Sequence, residues 1–266
     1  MKPKYKYIHI LKTKVYETFC YKTDFLLNFF SSFMLVLVQY FIWKAVFLQR
    51  EEIMGFNFDD TITYMVMVWG IYGFCNTIDF AREFESEILD GSISYKLLFP
   101  VNLYIYSFIH TYSKNLINLL FSGTLIIFLS YILFPLKIPS FSNLLFFIFS
   151  LNLSFIISFN ISFIIALFSS YFKKIEGLIQ LNNFMTSLFS GALLPLDFFP
   201  SFFKNLTSFF PFKHIIYAPI SIFIGKTNSF EMIHEAFFQF IWILILKIGI
   251  FFLINIFYKK LEIAGG

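Results

Sequence analysis

AFFQFIWILILKIGIFFLINIFY, residues 236–258, is the stretch whose reading decides the fold. It holds one charge, Lys247, among aliphatic and aromatic residues. As an α-helix at about 1.5 Å per residue it would be roughly 34 Å long, enough to cross a hydrocarbon core of about 30 Å. Lys259 and Lys260 follow at once and stop it at a headgroup boundary. A transmembrane helix is therefore expected from Ala236 to Tyr258.

Working outward, the rest of the chain repeats the pattern. Of 266 residues, 58% are hydrophobic and only 14% charged, with a mean hydropathy of +0.75. A soluble domain carries about 25% charged residues, so a water-facing surface is excluded for most of this chain. Further spans are expected at about Phe25–Phe47, Thr61–Phe80, Leu103–Phe134, Ser142–Ser170 and Gly177–Leu196, six in all. The fold class is an all-α integral membrane protein, one membrane domain over residues 1–266.

Three segments stand outside the spans. Residues 1–23 are Lys-rich, and Ile8, Leu11, Val15 and Phe19 fall on one helical face. A basic helix with one apolar stripe lies in the membrane interface, the plainer alternative being an unstructured basic leader. Residues 81–100 form a strongly charged loop. Residues 197–231 are apolar but broken by Pro200, Pro211 and Pro219, which suits re-entrant or interfacial helices.

Orientation follows from Lys and Arg beside the spans. With the N-terminus inside, the inner segments hold Lys2, Lys4, Lys6, Lys12, Lys14, Lys22, Arg82, Lys96, Lys173, Lys174, Lys259 and Lys260. The outer ones hold Arg50, Lys137, Lys204, Lys213 and Lys226. Twelve against five puts both termini in the cytoplasm of a cell membrane.

Enzyme motifs fail one by one. Gly225-Lys226-Thr227 ends like a phosphate-binding loop, but the glycine required five residues earlier is Ile220. His234-Glu235 opens a zinc-protease motif, and residue 238 is Phe rather than His. His9, His110, His214 and His234 are scattered, and Cys20 and Cys75 have no metal-ligand spacing. No catalytic residue, metal site or cofactor is expected. Lys interleaved with Tyr at the N-terminus suits anionic membrane lipid rather than nucleic acid.

The charged loop reads AREFESEILDGSISYKLLFP, residues 81–100. Glu83 and Glu87 are four apart and share a helical face that Asp90 continues. Asp90-Gly91-Ser92 turns the chain, and a second short helix, Ile93–Phe99, stops at Pro100. Acidic residues here oppose the positive-inside bias, which points to a role other than topology. The plainer reading is a solvated loop.

This loop resembles that of the permease subunits of type-2 ABC exporters: an acidic helix, Asp-Gly-Ser-Ile, then Leu-Leu and Pro. Glu87, Asp90, Gly91, Ser92, Leu97, Leu98 and Pro100 match in order. Further matches are Ser190–Pro200, then Pro211-Phe212, Ile216–Pro219 and Phe223–Gly225. The resemblance covers the whole chain in span order. It implies a permease that pairs with a second, identical or related one. It also implies a separate cytoplasmic ABC ATPase, which binds the ATP and receives the loop at 81–100 as a coupling element through Glu83, Glu87, Asp90, Gly91, Ser92, Leu97, Leu98 and Pro100. The cargo is expected to be amphiphilic: lipid, peptide or drug-like. Two other classes compete, a membrane-embedded lipid-modifying enzyme and a membrane assembly or immunity protein.

Polar residues inside spans are the remaining candidates. Ser154, Ser158, Ser162, Ala166 and Ser170 recur every four residues and serve either close helix packing or a polar lining. Asn183, Ser187 and Ser190 share a face in the fifth span and are expected to line a pathway. Lys247 at mid-span either meets an anionic substrate, pairs with a carboxylate, or marks a span placed several residues off.

Overall fold

A computed structural model describes residues 22–98, 102–172 and 174–264. The helix expected over residues 1–23 lies, up to residue 21, outside the described residues, as does Pro100. Ten helices follow in order: α1 (Lys22–Val46), α2 (Phe58–Cys75), α3 (Ile78–Leu89), α4 (Ile93–Leu98) and α5 (Leu103–Leu133), then α6 (Phe141–Leu167), α7 (Glu176–Phe189), α8 (Ser201–Ser208), α9 (Tyr217–Phe223) and α10 (Ser229–Ala264). The only strands among the described residues are β1 (Glu52–Ile53) and β2 (Phe56–Asn57), an antiparallel hairpin.

Among the described residues, four helices are long and apolar enough to cross a bilayer: α1, α5, α6 and α10. Two of the six expected crossings are not among them. The span expected at Thr61–Phe80 stops at Cys75, and α2 carries Asp59 and Asp60 in its first turn. The span expected at Gly177–Leu196 ends at Phe189, after 14 residues. Gly191, at φ 81°, turns the chain there. Its ideal Cβ would stand 2.5 Å from the Tyr64 hydroxyl, which donates 2.8 Å to the Gly191 carbonyl. A local backbone requirement, invisible to hydropathy, therefore cuts that span short.

α2 is the central helix, buried along most of its length. Its start is fixed by the hairpin, where Met54 and Gly55 both have positive φ, as a tight two-residue turn requires. Asn57 then caps the helix, its side chain accepting from the Asp60 amide at 2.7 Å. Asp60 itself is 2% exposed and lies 2.9 Å from Lys137 and 2.7 Å from Lys226. That carboxylate fastens together the starts of α2, α6 and α10 at one end of the bundle.

α2 crosses α5 at very short range. An ideal Cβ on Gly123 would sit 2.3 Å from the Gly70 carbonyl, and one on Gly73 would sit 2.5 Å from Asn118. Gly70 and Gly73 thus admit a close helix neighbour, with a π-helical turn at Leu119–Gly123 as the partner surface. Gly123→Val should force the helices apart and cost about 1–3 kcal/mol of overpacking. A thermal melt of the detergent-solubilised protein checks this; an unshifted midpoint would mean the crossing is loose.

α6 and α10 run parallel, in register from Gln239 beside Ser150 and Ser154 to Lys260 over the Tyr171 ring. The serine stripe on α6 proves to be polar glue. Ser154 donates to the His214 carbonyl at 2.7 Å, Ser158 to the Cys75 carbonyl at 2.6 Å, and Ser162 meets Thr77 at 2.7 Å. Around these contacts Phe80, Phe84, Phe155, Phe159 and Phe163 stack as an aromatic core. The segment 197–231 divides in two: α8 is largely exposed, whereas α9 is buried against α6.

Candidate functional site

The site begins where the α2 backbone fails to continue into α3. Asn76 adopts an extended conformation, with φ −80° and ψ 105°. A broken helix frees carbonyls that water satisfies in a soluble protein; in lipid, neighbouring side chains must do it. Asn115 on α5 donates through Nδ2 to the carbonyls of both Phe74 and Asn76, each at 2.9 Å. Ser158 takes the Cys75 carbonyl, and the Thr77 hydroxyl lies between Ser158 (3.0 Å) and Ser162 (2.7 Å). Every partner is a short polar residue on a neighbouring helix or at the break itself. The break is thereby held by design of the neighbouring faces.

Beside the break lies a small open cleft, with a cavity volume of about 20 Å³. Tyr72, Asn76, Ser158, Asn182, Asn183 and Thr186 supply its polar wall, and Ile215 and Ile216 close it. Of the residues expected along a pathway, Asn183 stands here. Ser187 is half-buried and is not on the wall. Ser190 is fully buried in the turn after α7, its hydroxyl accepting from Ala192 and its carbonyl from Tyr217. Lys247 stands elsewhere: it is exposed and lies 5.7 Å from the Tyr104 ring. Tyr104 bonds to Asn160, two residues along α6 from Ser158 and so about 200° around the helix. The expected pathway set thus separates onto two faces of α6.

From the break, α3 leads to the charged loop. α3 ends at Leu89, Asp90 accepts from the Ser92 amide at 2.9 Å, and Gly91 takes φ 77°. The turn expected at Asp90–Ser92 and the helix after it are both present. Hydrogen bonding by Ser92, through side chain and backbone, holds the Asp90 carboxyl below the usual carboxylate range. Asp90, Gly91 and Leu89 are exposed. Glu83 and Glu87 are paired within the chain, to Lys114 at 2.6 Å and Lys96 at 2.5 Å. Leu97 and Leu98 belong to α4.

Two contacts that the sequence did not reveal tie α3 to the start of α7. Arg82 grips Glu176 with two nitrogens, at 3.3 and 3.2 Å, and also meets Asp79 at 3.0 Å. Glu85 accepts from the Ile175 amide at 2.7 Å, serving a helix start that has no side-chain cap of its own. The bond from Arg82 holds the Glu176 carboxyl below its ordinary range. A lowered carboxyl pKa means the contact is intact above that range and is lost as pH falls through the depressed value. No spacing rule links residues 82 and 176, which are 94 positions apart.

These features define a class: an α-helical membrane protein with a broken central helix, a polar cleft at the break and a charged helical hairpin below it. Residues 33–265 match the model of a family described as ABC-2 family transporter protein. That match covers most of the chain, so the protein belongs to the ABC-2 transporter family, a family of membrane transporter permeases. No curated protein matches it significantly.

Proposed function

We propose that the chain is the permease subunit of an ATP-driven exporter, paired with a second permease and served by a separate cytoplasmic ABC ATPase that binds the ATP. Six crossings are reached by counting α2, about 27 Å long, and α7 with the segment after it. Both termini and the loop at 81–100 then face the cytoplasm. An amphiphilic cargo, lipid, peptide or drug-like, suits a polar cleft set among apolar helices.

The observation that carries this reading is the continuity from loop to cleft. The exposed turn Leu89–Gly91 would dock on the ATPase, while α3 runs back from it to the hinge at Asn76–Thr77. Asn76 is itself part of the cleft wall, and α7, tied to α3 by Arg82 and Glu85, brings Asn182, Asn183 and Thr186 to the same wall. A push on α3 therefore reaches the cleft along two routes, the hinge and α7. Glu83 and Glu87 act by stiffening the docking hairpin through Lys114 and Lys96, rather than by touching the ATPase.

Co-purification tests the proposal. The solubilised complex should contain an ABC ATPase whose hydrolysis rate depends on the permease. Gly91→Pro, which cannot adopt φ 77°, should abolish ATPase retention while membrane insertion is unchanged. A complex without ATPase would remove the exporter reading; an unaffected Gly91→Pro complex would remove the docking role of the turn.

A further inference from the structure

We infer that the face of α6 turned away from the cleft, between α5 and α10, holds the acidic headgroup of a lipid-like amphiphile, with Lys247 as its cation. Lys247 lies midway along the apolar run 236–258, where a charge costs several kcal/mol unless something compensates it. Its only cationic contact among the described residues is the Tyr104 ring, at 5.7 Å. Among those residues no carboxylate lies within ion-pair distance of it, although carboxylates elsewhere in the bundle are paired with lysine or arginine.

The surface beneath Lys247 is polar in a way that packing does not require. The Tyr104 hydroxyl donates to Asn160 Oδ1 at 2.7 Å. Asn160 is completely buried, and its Nδ2 has no hydrogen-bond partner, an unfavourable state for a buried donor. About two turns further along both helices, Tyr112 donates to Asn152 at 2.8 Å. Two Tyr–Asn pairs thus lie one beyond the other along the α5–α6 seam, beginning under Lys247. An acidic oxygen placed there would meet the lysine directly and would take the Tyr104 proton now given to Asn160, with the unused amide donor of Asn160 left behind the hydroxyl.

The flanks favour an acyl chain over a protein helix. Leu244, Ile248 and Phe251 on α10 are 61%, 58% and 65% exposed, and Ile105 on α5 is 44% exposed. Packed membrane helices meet through small residues, whereas these are large, as a hydrocarbon neighbour allows. A row of polar pairs also suits a headgroup moving along the seam better than a single fixed carboxylate. The inference goes beyond the proposed function by naming a cargo or modulator chemistry and a site apart from the cleft. It rests on the transporter reading only for its purpose, not for its binding.

The test uses the intact complex in nanodiscs, with photoreactive phosphatidic acid and photoreactive phosphatidylcholine as probes and no nucleotide. Phosphatidic acid should label peptides around Lys247 and Tyr104 in preference to the zwitterionic probe. Lys247→Ala should reduce that labelling roughly tenfold, the worth of a charge-assisted hydrogen bond. Lys247→Arg should retain it, and Lys260→Ala should leave it unchanged. Equal labelling by both probes, or unchanged labelling of Lys247→Ala, overturns the site. Displacement by excess inorganic phosphate overturns the lipid in favour of a free anion. A Lys247→Cys crosslink to a partner helix overturns it in favour of a protein interface. ATPase coupling, measured on the same samples, reports separately on the exporter reading.

Discussion

Asn115→Leu is expected to be the most damaging single substitution in this protein. The leucine keeps the branch at Cγ, is larger, and donates no hydrogen bond, so the carbonyls of Phe74 and Asn76 lose their shared partner at once. Each buried orphan costs about 1–3 kcal/mol. Asn115 is 7% exposed. The bundle should melt well below the native protein, or α2 and α3 should join into one helix and lose the hinge. Thermal unfolding in detergent distinguishes the first outcome. A disulfide-free distance probe across residues 72 and 82 distinguishes the second. A native midpoint with a native distance would show that the carbonyls find other donors, and the hinge would then lose its structural basis.

Arg82→Glu addresses coupling instead of stability. Arg82 and Glu176 are both largely exposed, and exposed ion pairs contribute little to folding, so expression and melting should be near native. Reversal, however, sets a third carboxylate against Asp79 and Glu176 and separates α3 from α7. ATPase binding at the Leu89–Gly91 turn should survive, while permease-stimulated hydrolysis and transport should fall about tenfold, within the usual range of an inter-site coupling energy. The swapped pair Arg82→Glu with Glu176→Arg should recover most of the loss. Failure of the swap to recover it would place the defect in docking. Native coupling in the single variant would leave the hinge and the Glu85–Ile175 bond as the routes.

Several elements were legible because hydropathy and turn chemistry are local. The apolar runs at Phe25–Phe47, Leu103–Phe134 and Ser142–Ser170 are helices close to those bounds, and Ala236–Tyr258 is the middle of a longer one, Ser229–Ala264. Asp90-Gly91-Ser92 turns the chain where a glycine at positive φ is needed. Thr61–Phe80 misled because Asn76 and Thr77 are short polar residues that a span tolerates. Whether they break it depends on Asn115, Ser158 and Ser162 arriving from two other helices. Ser190 shares a face with Asn183 on a continuous helix, but the helix ends at Phe189 and carries Ser190 into a turn.

The sequence by itself determined that this chain lives in a bilayer, that its mass is helical and where its charged hairpin turns. Those properties depend on transfer energies and backbone preferences that each residue carries with it. Only the tertiary structure decided which polar residues face one another. It set Asn183 on the cleft and Lys247 on the opposite face of α6, and it joined Arg82 to Glu176. Hydrogen bonds and ion pairs between distant segments have angular and distance limits that no one-dimensional spacing encodes. The lysine in AFFQFIWILILKIGIFFLINIFY was visible from the start, but the tyrosine it lies over was not.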